Sequence, residues 1–346
     1  MKLNLNPDRD TLSLLLDTPL PTQVTGHAEF GRLKKLLDET GGFRLGCVEN
    51  GELTRLEARR EDWFHLIERV LPKREAVFQK TVIHDLMNGG GGNGSRGLKV
   101  NFHQKSFDTA ERYWNFLLNQ GHFVDYIFNR VGWYLAPVNQ IVPPFPFHVD
   151  IETANTCNMN CPMCYRSMLK NIGQMEMGLF RKAVDECAQN NVYSVRLSWR
   201  GEALTHPRIK EMIAYATKRI KNVSFLTNAF YIDGSMADCF IDTGLAYLSV
   251  SFDGIKDIYE TVRHPAKFED SYQRLRELKV KKEARGARRP QVRVCTIWPA
   301  VKDDPKDYQR TMREVSDYMV CNPYINFMGP MKIKKGFICQ YPWERI

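Results

Sequence analysis

From residue 147 onward, short apolar or alternating runs take turns with longer stretches whose apolar positions recur at helical spacing. Runs at 149–152, 195–199, 223–227, 247–252, 292–297 and 324–327 read as strands. Stretches at 178–190, 208–221, 235–243, 268–283 and 305–318 read as helices. Strand–helix alternation of this kind predicts a parallel sheet with right-handed crossovers. Six units are too few to close an eight-fold barrel. The expected fold is therefore α/β, a partial (β/α)6 TIM-like barrel whose working face lies where the strands end.

Residues 1–145 carry a different pattern and predict an N-terminal mixed α/β accessory region. A helix is expected at 30–39. A hairpin is expected at 43–57 around the Asn50-Gly51 turn, and amphipathic helices at 61–70 and 109–118. The glycine run at 89–95 lacks the Gly-Lys-Ser/Thr ending of a phosphate loop and reads as a surface loop. A proline-rich connection at 137–146 marks the boundary. The expected division is 1–145, a core at 146–330 and a C-terminal piece at 331–346.

Composition narrows the class. A chain of 346 residues can bury a sizeable core. No run of about 18 apolar residues is present, so no membrane span is expected. The apolar run at 12–16 is too short for a secretory signal. Nine cysteines without an export signal predict a reducing cytoplasm, with thiols serving metal or packing. The net charge of +9 owes part of its excess to 279–289. No aromatics interleave there as a stacking platform would require, so a solvated helix end is favoured over a nucleic-acid surface.

The candidate chemistry centres on Cys157-Asn-Met-Asn-Cys161-Pro-Met-Cys164-Tyr165, which follows the first core strand. Three soft thiolates on one short loop can hold a metal centre. An iron–sulfur cube held by three cysteines keeps one iron open to another ligand. The alternatives are a zinc knot, which wants four Cys or His ligands, and incidental core cysteines. Further strand ends carry Arg200-Gly201-Glu202, Thr227-Asn228-Ala229 and Ser251-Phe-Asp253-Gly254, with Arg263 following. Singly, each is more often turn chemistry. His206 reads as a turn residue, and Cys187, Cys239 and Cys295 as packing.

Taken in order, Cys157-x3-Cys161-x2-Cys164-Tyr165, Gly201-Glu202, Thr227-Asn228 and Ser251-x-Asp253-Gly254 resemble the radical SAM superfamily over roughly 147–327. The resemblance implies that Cys157, Cys161 and Cys164 bind three irons of a [4Fe-4S] cluster. The fourth iron would chelate the amino and carboxylate groups of S-adenosylmethionine (SAM). Tyr165 would place its backbone near the adenine. Gly201 and Glu202 would form the edge facing the methionine ammonium. Ser251 and Arg263 match positions that contact the ribose and the methionine carboxylate, and Asn228 lines the same pocket. Arg200 and Ala229 stand where glycine is common in the family. The stretch from Phe337 through Cys339 to Trp343 resembles the opening of a SPASM extension, which implies a member cut at or near the start of that extension. Cys321 and Cys339 are too few to hold an auxiliary cluster by themselves.

The implied function is that of an enzyme which reductively cleaves SAM to a 5′-deoxyadenosyl radical, and this radical abstracts hydrogen from a substrate. The implied partner is an external one-electron reductant of the flavodoxin or ferredoxin type. A peptide or protein substrate, as for a maturase, is favoured over a sugar or amino acid. A non-catalytic iron–sulfur carrier or redox sensor is the alternative of another class. An RNA-modifying enzyme stands behind both, since no RNA-binding module is recognisable.

Overall fold

Residues 2–6, 9–48, 51–88, 105–139 and 142–322 are described by a computed structural model of the chain. The N-terminal part begins with β1 (Lys2–Asn6) and β2 (Thr11–Leu20), followed by α1 (Ala28–Thr40), β3 (Arg44–Cys47) and β4 (Leu53–Arg59). These strands form an antiparallel sheet in the order β1-β2-β4-β3. The β3–β4 pair is the hairpin that the Asn50-Gly51 turn predicts. Next come α2 (Arg60–Val70) and α3 (Lys73–Met87), then β5 (Lys105–Ser106), α4 (Ala110–Leu118) and α5 (Phe123–Asn139). Leu12, Leu14, Leu56, Trp63 and Ile67 are all buried together, and the Trp63 indole N–H donates to the Leu12 carbonyl at 2.8 Å.

The second part runs β6 (His148–Asp150), α6 (Met177–Gln189), β7 (Ser194–Arg196), α7 (Ile209–Thr217), β8 (Asn222–Thr227) and α8 (Gly234–Asp242). It continues with β9 (Tyr247–Ser251), α9 (Lys256–Val262), α10 (Phe268–Ala284), β10 (Gln291–Ile297), α11 (Trp298–Val301), α12 (Pro305–Arg313) and β11 (Tyr318–Asn322). Strands β6 to β11 are parallel and neighbour one another in chain order. This is the α/β partial barrel read from the alternation.

Several boundaries differ from the sequence reading. The expected helix at 305–318 stops at Arg313, and Tyr318 opens a strand. Tyr318, Met319, Val320 and Cys321 are all buried, so both faces of this run are covered instead of one helical stripe. The strand expected at 324–327, the glycine run at 89–95 and the SPASM-like piece at 331–346 lie outside the described residues. Pro137 falls within the last turn of α5, so the proline-rich stretch begins as helix. Among the described residues, no helix is long and apolar enough to cross a membrane.

The two faces of the parallel sheet are built differently. Val195, Leu197, Val223, Phe225, Leu248, Val250, Val292 and Val294 point to the helices and are buried there with Phe180, Met212, Phe240, Leu275 and Met312. Alternate residues point to the concave side. At the start of the strands that side is filled from the N-terminal part. Phe116 of α4 packs edge-on against Tyr247, with centroids 5.5 Å apart, and its ring lies tilted by 31° against Tyr318 at 5.3 Å. Asn222 donates to Gln120 at 2.9 Å, and Arg112 donates to the Ser316 carbonyl at 2.7 Å. β5 pairs antiparallel with β11 at the sheet edge. The accessory elements thus cover the beginning of the barrel strands.

Candidate active site

The loop that leaves β6 carries the three cysteines, each half-buried. Backbone contacts hold it in place. The Glu202 N–H donates to the Thr156 carbonyl at 2.7 Å, and the Asn160 N–H donates to the His264 carbonyl at 2.7 Å. Farther along, the Met175 N–H donates to the Thr153 carbonyl at 2.8 Å. The loop is therefore clamped between the segment after β7 and the one after α9. Tyr165 opens a short 3-10 turn, Tyr165–Met168, directly after Cys164.

Gly201 makes that approach possible. Its φ is +68°, and a Cβ there would lie 2.5 Å from the Asn155 carbonyl carbon and the Thr156 oxygen. Ala229, where the family commonly has glycine, also holds a left-handed φ of +68° while fully buried.

Glu202 is 1 % exposed, and its carboxylate turns inward. One oxygen accepts from the Thr227 hydroxyl at 2.8 Å and the Leu204 N–H at 3.2 Å. The other accepts from the Asn228 N–H at 2.7 Å. Burial pushes its pKa up to about 7, against the downward pull of the Asn228, Thr227 and Leu204 donors and the more distant Arg263. Glu202 thus ties the β8 exit to the turn after β7, and the side chain itself is already engaged. The Asn228 amide donates to Asn158 at 2.9 Å and stands 4.0 Å from the Cys157 sulfur.

Arg200 proves to be a partner of Glu152, two residues past the end of β6. Its guanidinium donates to both carboxylate oxygens, at 2.6 and 2.7 Å, and its backbone N–H donates at 3.1 Å. Burial alone would raise the Glu152 pKa, but the Arg200 bonds outweigh it and hold the carboxyl below its ordinary value. Glu152 was not singled out from the sequence. The available signal was an acid ending the strand opposite an arginine in place of glycine.

Ser251 ends β9, half-buried. Arg263 closes α9, and its side chain is 15 % exposed. One terminal nitrogen pairs with Asp253, and the other stands 3.7 Å from the Cys161 sulfur. Burial opposes the charge on Arg263, yet the Asp253 carboxylate raises its pKa overall. Asp253 read from sequence as turn chemistry. It is instead a buried anion that also accepts from the Ile297 N–H at 2.9 Å.

The remaining candidates fall where packing places them. His206 caps its own turn, accepting from the Arg208 N–H at 3.1 Å and lying 3.1 Å from the Met175 carbonyl. Cys187 and Cys295 are buried in the two cores, and Cys239 packs at the edge of one.

A parallel half-barrel with a cysteine triad at its strand ends defines a class of protein. Residues 151–314 match the family model of the Radical SAM superfamily. Two curated relatives match parts of the chain. The antilisterial bacteriocin subtilosin biosynthesis protein AlbA of Bacillus subtilis is 33 % identical over 86 residues, 25 % of this chain and 19 % of that protein. The PqqA peptide cyclase of Rhodopseudomonas palustris is 25 % identical over 111 residues, 32 % of this chain and 29 % of that protein. The matches span under a third of either relative's length. Among solved structures, Streptococcus suis SuiB aligns with 85 % of this chain and 63 % of its own at 15 % identity, with a TM-score of 0.47.

The cofactors of this superfamily are a [4Fe-4S] cluster and SAM, and the donor set fits them. Two of the three thiols face hydrogen-bond donors: Cys157 the Met159 N–H at 3.4 Å and the Asn228 amide, and Cys161 the Arg263 guanidinium. The amide nitrogen of Asn158 is buried beside them with no partner among the described residues, a donor available to a bound group. Among the described residues, no group of three His, Cys, Asp or Glu side chains is arranged around a single ion. A cube takes each thiolate on a different iron, so its three sulfurs need not converge on one point.

Proposed function

We propose that this chain is a radical SAM enzyme acting on a peptide or protein. The observation that carries the reading is the cysteine loop itself, clamped at the strand ends against Gly201, Glu202 and Arg263. Bound there, cluster and SAM supply one-electron reductive cleavage to a hydrogen-abstracting 5′-deoxyadenosyl radical. Cys157, Cys161 and Cys164 would hold the cluster as thiolates. Burial raises the pKa of Cys157 and Cys161 as free thiols, so metal binding would displace their protons.

The backbone of Gly201 and Glu202 would face the methionine end of SAM. The Glu202 carboxylate would fix that edge from beneath, since its oxygens already accept from Thr227, Asn228 and Leu204. Asn228 and Ser251 would line the remainder, with Tyr165 beside the adenine. Next to this rim, the concave wall is polar. Asp150 accepts from Arg196 at 2.8 Å and meets His148 at 2.9 Å, and Arg293 donates to Ser249 at 3.0 Å. The peptide class is supported by the names of the two curated relatives, a bacteriocin biosynthesis protein and a peptide cyclase. An external one-electron reductant would complete the system.

Anaerobic reconstitution with iron and sulfide, followed by reductant and SAM, tests the reading. The expected product is 5′-deoxyadenosine, with turnover increased by the cognate peptide. A loaded cluster that yields none, with peptide present, would identify an electron carrier or redox sensor instead.

A further inference from the structure

The three thiols do not meet equivalent surroundings. Cys157 faces neutral donors, the Met159 N–H and the Asn228 amide. Cys161 faces a buried guanidinium, with Arg263 Nη1 3.7 Å from its sulfur. That guanidinium is fixed from several sides. Its other terminal nitrogen pairs with Asp253, and the second oxygen of Asp253 is tied to the Ile297 N–H at the end of β10. The Arg263 N–H donates to the Tyr259 carbonyl at 2.7 Å within α9. The next residue, His264, holds the Asn160 N–H at 2.7 Å, one position before Cys161. Cation and sulfur are therefore set on segments that are bonded to each other.

We propose that Arg263 and Asp253 are positioning residues that set the reduction potential of the cluster through the Cys161 sulfur. Adding an electron makes the cluster more negative. A cation donating to a ligand sulfur stabilises that reduced form and raises the potential. Burial strengthens the effect, because little water screens it. Asp253 works in the opposite sense, since its negative charge partly cancels the guanidinium. The two residues of one ion pair therefore act on the cluster with opposite signs. This goes beyond a contact between Arg263 and the methionine carboxylate, because it operates with no SAM bound. It rests on the reading that the cysteine loop holds a [4Fe-4S] cluster.

The test is a redox titration of the reconstituted, SAM-free protein, followed by electron paramagnetic resonance of the reduced cluster. Iron and sulfide are measured on the same samples. In Arg263→Gln, about tenfold less reduced relative to oxidised cluster is expected at the wild-type midpoint, a fall of ~59 mV for one electron. Asp253→Asn keeps an acceptor for the Ile297 N–H and is expected to move the potential upward. Arg263→Lys keeps the charge and is expected between wild type and Arg263→Gln. A purely structural role would shift Arg263→Gln and Asp253→Asn in the same direction, or neither, and either result overturns the proposal. If Arg263→Gln does not load, the opposite displacements of Asp253→Asn and Arg263→Lys decide. Wild-type protein that binds no cluster would instead overturn the underlying functional reading.

Discussion

The helix side of the parallel sheet and the rim at its strand ends are both buried, by opposite means. On the helix side, Phe225, Leu248, Val250 and Val294 are fully enclosed by other apolar groups. At the rim, Glu202 and Asp253 are equally enclosed, and each oxygen of each carboxylate is answered by a donor. Apolar burial is tolerant of partner identity and contributes stability in proportion to area. Buried charges are specific, and removing one partner leaves the other uncompensated. The fold's stability should therefore lie mainly with the first region and its cofactor chemistry with the second.

The sharpest separation comes from the cysteines. Replacing Cys157, Cys161 or Cys164 by Ala should abolish stable cluster loading, read as iron and sulfide per chain after reconstitution. Replacing Cys187 or Cys239, which sit on α6 and α8, should leave both contents at the wild-type level. The reverse holds for Phe225→Ala. It should cost about 3–5 kcal/mol in denaturant unfolding, while the molecules that remain folded still load iron.

Next in size is a pH effect at the rim. The Glu202 pKa is raised from 4.5 to about 7, so the folded state holds a proton that the unfolded state has lost across that window. The stability this group contributes is fully present below pH 4.5 and is lost as pH rises through about 7. The displacement corresponds to roughly 3 kcal/mol. Denaturant titrations of the metal-free protein at pH 5 and pH 8 should show that loss, and Glu202→Gln should remove most of it. Equal slopes for both proteins would detach the rim from this account. The smallest change is Gly201→Ala, expected to cost about 1–3 kcal/mol through left-handed strain and the contact with Asn155 and Thr156. Its distinguishing sign is weakened SAM affinity measured by calorimetry, beyond any loss of stability.

The same contrast explains what could be read from the chain. Barrel strands and helices announce themselves because one face of each is uniformly apolar. The cysteine triad is legible because its three thiols crowd into eight residues, Cys157 to Cys164. The rim is mostly hidden, because its partners are distant in sequence. Arg200 and Glu152 are 48 residues apart, and Arg263 and Cys161 are 102 apart. Asp253 followed by glycine has the form of an ordinary turn, and only the ion pair reveals its charge as structural. Helix α9, seven residues long, is too short for a helical period to show, so the element carrying Arg263 to the cysteines went unseen. β2 was missed for a different reason, since the Leu-rich run inside Thr11–Leu20 does not alternate cleanly.

The central claim is that the loop Cys157–Cys164 holds a cube whose open iron is met by SAM. Electron paramagnetic resonance of the reconstituted, reduced protein, recorded with and without SAM, tests it most directly. The account predicts about four irons and four sulfides per chain, with a reduced-cluster signal whose g-values shift when SAM is added. A loop that takes up zinc without sulfide, or a cluster signal that SAM leaves unchanged, would contradict it.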